Sequence, residues 1–204
     1  DFFETGVYNK NRELKLTTSP SMDILISSNL ERLLFEISNR DSKKVNSLLN
    51  NLNEKGVYEI DYDMRKNLSS FYAGYSKEDV VSKTIKEVFD KFDYLLDTHT
   101  AVAYSCYEKY VEDTKDITKT VIVSTASPYK FTRSVMNAID SAYDKQSDFE
   151  LVDEFLSLLV QLFIVDDAAL GEFRQTVRLD ARVFRNAQLS HQGKAVAILG
   201  DKRQ

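Results

Sequence analysis

The sequence predicts an α/β fold that is rich in helices and has few strands, and three observations lead there. Apolar residues recur at i, i+3, i+4 and i+7 in one segment after another, the spacing that gives a helix one buried face. Two short apolar runs, residues 57–60 and 121–123, stand between those segments, and the second has the unbroken β-branched character of a strand buried in a parallel sheet. The 204 residues are 43% hydrophobic, enough to fill a core between layers of helix and sheet.

Taken in order, residues 1–20 read as irregular, with room for a short strand near residues 14–16, and Pro20 closes the region. Ser28, Asn29, Leu30 and Glu31 have the form of a capping box, in which a serine hydroxyl and a glutamate carboxylate answer the first orphan amides of a helix. Leu30, Leu33, Leu34 and Ile37 are its apolar face. A second helix carries Val45, Leu48, Leu49 and Leu52 and stops at Gly56, a residue type suited to the conformation that ends helices. After the short strand at 57–60, Ser76 to Asp79 supplies the start of a third helix, with Val81, Ile85, Val88, Phe89 and Phe92 on its buried side. A fourth begins at Asp97 or Thr98 and runs to about Tyr110. Pro128 fits the first turn of a fifth, which bears Phe131, Val135, Met136 and Ile139. The sixth covers residues 149–162, with Leu151, Phe155, Leu158, Leu159 and Leu162 on one side.

Composition narrows the function classes. A net charge of −5 argues against a nucleic-acid binder, because phosphate neutralisation needs a basic surface. A single cysteine, Cys106, rules out an internal disulfide and suits a reducing, cytoplasmic setting. No apolar run reaches the ~18 residues of a membrane span. The two histidines, His99 and His191, are far apart in sequence, so a His-rich metal site is not expected. There is no G-x-G-x-x-G and no G-x-x-x-x-G-K-[ST], and the chain holds only 6 glycines and 2 prolines. A phosphorylated cofactor, if used, would need a phosphate-cradling loop from elsewhere. The chain opens on Asp1 rather than Met, as a fragment or processed form would.

The tail differs from the rest. Residues 171–204 carry seven basic and three acidic side chains, a net +4 against −9 for residues 1–170. Residues 177–183 alternate apolar and charged with the period of a half-exposed strand, and 194–199 could pair with them. The change in charge and period points to a separate module or a sequence of other origin, with an ordinary C-terminal hairpin of the same domain as the alternative.

Three constellations could carry chemistry. Ser28, Asn29 and Arg32 surround a helix start, where amides and dipole favour an anion; a plain cap with a solvated arginine is the other reading. His99, beside a helix start in Asp97-Thr98-His99-Thr100, could act as an acid or base near neutral pH or be structural. Ser124, Thr125 and Ser127 follow the apolar run 121–123, at the carboxyl end where open α/β sheets bind ligands. They could cap the helix behind Pro128 or face a cofactor.

Together these stretches carry a resemblance. SPSMDILISSNLERLLFE (residues 19–36) is similar to the S/A-P-S-M-D-I-x-x-S-S-N-x-E-R-L-L segment of the long-chain threonine synthases. DTHTAVAY (97–104) looks like that family's D-P-H-T-A-V-G, and STASPYKF (124–131) like its T-A-H-P-A-K-F. DFFETGVYNKNRE at the start is similar to the stretch that closely follows the family's phosphate loop. Order and spacing agree over roughly residues 1–160 and the resemblance ends by about 165, so it implies one domain at 1–165 and a tail of uncertain origin, a possible β-hairpin, at 166–204. Ser127 stands where the family usually has His, Thr98 where it has Pro, and Ala103 where it has Gly.

The resemblance implies the C-terminal part of a pyridoxal 5′-phosphate enzyme of fold type II, related to the tryptophan synthase β-subunit. Such an enzyme is a carbon–oxygen lyase that converts O-phospho-L-homoserine and water to L-threonine and phosphate. It implies that Thr125 sits beside the cofactor's pyridine nitrogen, with Ser124 and Ala126 on the same wall. Ser28, Asn29, Arg32 and His99 would lie on the substrate side. The family's cofactor-linked lysine and phosphate loop fall upstream of these segments, so the chain by itself is expected to be inactive. A small-molecule substrate, no membrane or nucleic-acid partner, and a monomer or homodimer complete the expectation. A non-enzymatic interaction module with a basic tail is the alternative from another class.

Overall fold

The computed structural model describes residues 1–164, which divide into two units. The first comprises Asp1–Ser76 with Cys106–Val123, the second Lys77–Ser105 with the described residues from Ser124 onward.

The first unit begins with α1 (Phe2–Thr5), which ends at Gly6 with φ 73°. That left-handed turn leads into β1 (Val7–Asn9), which pairs antiparallel with β2 (Val57–Glu59) and sets Tyr8 opposite Tyr58. The two rings stack at 5.3 Å with planes 10° apart, and Phe2 meets each edge-on at 6.1 Å. Burial pushes the Tyr58 phenol far above its ordinary range. Between the strands lie α2 (Leu30–Ile37) and α3 (Ser42–Lys55), and α4 (Tyr62–Asn67) follows β2. Leu34, Ile37, Val45, Leu48, Leu52, Ile60, Met64 and Leu68 fill the space among them. Gly56 takes φ 76° after α3, as the sequence predicts for a helix stop.

Carboxylates start two of these helices. Asp41 accepts from the amides of Lys43 and Lys44 at 2.9 and 3.0 Å, and Asp61 from that of Met64 at 2.9 Å. Lys44 Nζ lies 2.7 Å from Asp61 Oδ2. The Lys44 ammonium, then the Met64 amide, hold the Asp61 carboxyl below the usual carboxylate range. A lowered folded-state value contributes stability that is complete above the ordinary range and disappears as pH falls through it. Asp61→Ala is therefore expected to cost about 1 kcal/mol at neutral pH, a typical N-cap loss, and progressively less as pH falls through the carboxylate range and the Asp61 carboxyl takes up its proton. Urea unfolding at neutral and acidic pH checks this.

The second unit is built from α5 (Glu78–Phe92), the first turns of α6 (Thr98–Thr114), α7 (Thr132–Ile139) and α8 (Asp148–Ile164). α7 packs against both α5 and α8. Val81, Ile85 and Val88 meet Leu95, Leu96, Ala101, Val135, Met136, Leu151 and Phe155 in its core. Every helix expected from apolar periodicity is present.

Four local expectations need correction. No strand forms at residues 14–16, where Leu14 and Leu16 are 45% and 82% exposed; β2 takes β1 instead, because that pairing buries two tyrosines. The run 121–123 is not a strand either. Val121 is 77% exposed, and among the described residues no strand lies beside it and no strand pair is parallel. A strand needs a neighbour to satisfy its amides, whatever its side chains favour. α2 starts at Leu30 after Asn29, whose side chain makes no cap bond, one residue later than a capping box on Ser28 would start it. Phe92 is 62% exposed because α5 stops there and Asp93 turns left-handed at φ 51°. The boundary at residue 166 and the hairpin of 177–183 with 194–199 lie outside the described residues.

Candidate functional site

Two of the three predicted segments meet in the second unit. Leu95 and Leu96 are buried, and they carry Asp97 into the protein at 1% exposure. A carboxylate there needs donors, and the start of α6 provides them. Asp97 Oδ1 accepts from the amides of His99 and Thr100 at 2.9 and 3.2 Å, and Oδ2 accepts from the Thr100 hydroxyl. Thr100 Oγ1 in turn lies 3.1 Å from Ser124 Oγ. A buried acid is thereby joined through one hydroxyl to the surface segment 124–127.

His99 is held inside this arrangement. Its Nδ1 is 3.4 Å from Asp97 Oδ1, and its ring sits 4.7 Å from that of Phe131, which follows Pro128 in the chain. At 3% exposure it is a buried ring packed between a carboxylate and an aromatic.

In the segment itself, Ser124, Thr125 and Ser127 are exposed and Ala126 is half-buried. Ser127 Oγ accepts from the Tyr129 amide at 3.3 Å and caps the 3-10 turn Pro128–Phe131 that leads into α7. The capping task thus belongs to Ser127, and Thr125 makes no hydrogen bond among the described residues. Ser127→Ala is expected to destabilise the second unit by about 0.5–1 kcal/mol, the low end of a cap loss for an exposed 3-10 turn; thermal unfolding measures it.

Ser28, Asn29 and Arg32 belong to the first unit. Ser28 and Arg32 are exposed and Asn29 half-buried, and Arg32 Nη2 donates to Asn29 Oδ1 at 2.7 Å. Tyr8 pins the loop before them: its hydroxyl donates to the Leu25 carbonyl at 2.9 Å and accepts from the Ser27 amide at 2.8 Å. Asn29 therefore orients a guanidinium and does not cap α2. In the same segment the Ser19 hydroxyl is buried without a partner.

Sequence reasoning singled out His99 in its segment and passed over Asp97 and Thr100. The available signal was an acidic residue one position before a helix with a hydroxyl three residues on, a spacing that returns the hydroxyl to the cap. Among the described residues no group of three or more His, Cys, Asp or Glu could hold a metal ion, and no helix is long and apolar enough to cross a membrane.

Comparison with known proteins gives a consistent set of relatives. Residues 100–162 match the family model described as threonine synthase, C-terminal. The chain is 31% identical over 176 residues to threonine synthase of Saccharomyces cerevisiae, a match covering 79% of this chain and 34% of that protein. It is 37% identical over 143 residues to threonine synthase-like 1 of Homo sapiens, covering 68% of this chain and 19% of the other. Among solved structures, PLP-bound threonine synthase from Brucella melitensis superposes with a TM-score of 0.61 at 38% identity, over 74% of this chain and 32% of that one. The yeast enzyme gives 0.63 at 30% identity, over 78% and 34%. The chain thus spans about a third, or less, of the length of these relatives.

Proposed function

We propose that this chain, which corresponds to the C-terminal portion of the threonine synthases, supplies the pyridine-facing wall of a pyridoxal 5′-phosphate site. The observation that carries the reading is Thr125: an exposed hydroxyl, uncommitted among the described residues, beside a turn already capped by Ser127. When bound, the cofactor supplies an electron sink for replacing the phosphate of O-phospho-L-homoserine by water. Thr125 donates a hydrogen bond to the pyridine nitrogen without adding charge, where a carboxylate partner would hold that nitrogen protonated. Ser124 and Ala126 line the same wall, and His99, held by Asp97 and Phe131, belongs to the substrate side.

The donor set fits the pyridine side of the cofactor only. No glycine-rich loop able to cradle a phosphate occurs in the sequence; the resemblance to the threonine synthases assigns both that cradle and the lysine that holds the cofactor to the part of those enzymes upstream of the segments matched here. Arg32, oriented by Asn29, offers a cation suited to an anionic group of the substrate, with Ser28 beside it in sequence. A small-molecule substrate, a cytoplasmic setting, a monomeric or dimeric enzyme and a separate role for residues 166–204 belong to the same reading.

Two assays test it. The chain, given pyridoxal 5′-phosphate and O-phospho-L-homoserine, is expected to release no phosphate above the blank; turnover would show the site to be complete without further chain. In the yeast enzyme carrying residues 1–164 in place of its own C-terminal portion, Thr125→Val is expected to lower kcat/KM about tenfold, the equivalent of one hydrogen bond of ~1.4 kcal/mol. An unchanged kcat/KM would remove Thr125 from the site.

A further inference from the structure

We infer that Asp97, acting through Thr100, is a positioning residue that fixes Ser124 as a hydrogen-bond acceptor and so assigns the donor role on the wall to Thr125. The inference rests on the cofactor-wall reading for its purpose, but its geometry is independent of it.

Thr100 has one hydroxyl proton and two oxygen neighbours, Asp97 Oδ2 and Ser124 Oγ. The carboxylate is the closer and stronger acceptor, and a bond to an ionised oxygen outweighs one to a neutral hydroxyl. Thr100 therefore gives its proton to Asp97, and its remaining lone pairs can only accept. The 3.1 Å contact with Ser124 is then made with Ser124 as donor. The competing acceptor, the Ala126 carbonyl, is farther from Ser124 Oγ at 3.4 Å. Donation to the carboxylate also strengthens Thr100 Oγ1 as an acceptor, because hydrogen bonds in a chain polarise one another.

The relay is well anchored at its buried end. Asp97 Oδ1 is occupied by two backbone amides, so the carboxylate cannot turn away without uncapping α6. Thr100 is 3% exposed, so water does not compete for its hydroxyl. Ser124, its proton committed inward, presents lone pairs outward and takes an N–H or O–H from whatever faces it. Thr125, next in the chain, keeps its proton for an acceptor. Two adjacent hydroxyls that look equivalent in sequence are thereby given opposite roles.

The test compares the chain with its Thr100→Val and Thr100→Ser variants by NMR. In the parent, the Hα–Hβ couplings of Ser124 are expected to report one side-chain rotamer. Thr100→Val should average them, and Thr100→Ser should restore the single rotamer, a rescue that a merely structural threonine would not show. If Thr100→Val does not fold, Thr100→Ala serves in its place, since it too removes the oxygen that holds Ser124. Unchanged Ser124 couplings in the folded Thr100→Val or Thr100→Ala chain would overturn the inference. Addition of pyridoxal 5′-phosphate separates the two claims. Loss of the Ser124 rotamer in Thr100→Val with no cofactor-induced shift at 124–126 would refute the cofactor wall and leave the relay standing. Cofactor-induced shifts at Thr125 with Ser124 indifferent to Thr100 would do the reverse.

Discussion

Asp97→Ala is expected to destabilise the second unit by about 4 kcal/mol, since it strands the buried amides of His99 and Thr100 and each costs ~1–3 kcal/mol when unsatisfied, while the Thr100 hydroxyl is left with Ser124 alone. Both amides lose their acceptor, and at 1% exposure for Asp97 water has little access to replace it. Asp97→Asn should recover much of this loss, because an amide oxygen still accepts from both backbone groups. Urea denaturation followed by circular dichroism gives the size of the effect, and amide exchange at His99 and Thr100 gives its place. If Ala and Asn behave alike, the cap is not what Asp97 contributes.

Phe155→Ala should be comparably severe for a different reason. Phe155 has 0% exposure in α8 and packs with Leu151, Val135 and Met136; Tyr129 meets its ring edge-on at 5.7 Å. Truncating a fully buried phenylalanine costs about 3–5 kcal/mol, part from lost transfer energy and part from the cavity left behind. Phe149, six residues earlier in the same helix, is 86% exposed, and Phe149→Ala should stay within about 0.5 kcal/mol of the parent. The contrast separates core packing from helix propensity, which the two substitutions change alike. A core this dense also explains why the wall segment can be positioned at all. Val135 and Met136 fix α7, and α7 begins where the 3-10 turn after Ser127 ends.

The helices were legible because their signal is local. Val81, Ile85 and Val88, or Leu151 and Phe155, repeat with the period of a helix and are buried as that period predicts. The strands were legible only in part, since a strand is defined by its partner. Residues 57–59 have Tyr8 to stack on and form β2, whereas Val121 and Val123, with the same β-branched character, have no strand beside them among the described residues. Three-residue β1 offered no alternation to read. At the candidate site, residue types pointed to Thr125 and His99. What they could not reveal was connectivity, because Asp97, Thr100 and Ser124 are joined by where α6 starts relative to the segment after residue 123. Nor could sequence distinguish which hydroxyl caps the turn; the geometry gives that to Ser127.

Whether Thr125 faces a pyridine nitrogen is decided by titrating the ¹⁵N-labelled chain with pyridoxal 5′-phosphate and following its amide spectrum, with pyridoxal as a control for lysine reaction. Shift changes are expected to centre on residues 124–126, and Thr125→Val to abolish them while the rest of the spectrum stays that of the folded chain. Shift changes confined to lysines and their neighbours, or changes at 124–126 that persist in Thr125→Val, would contradict that role for Thr125.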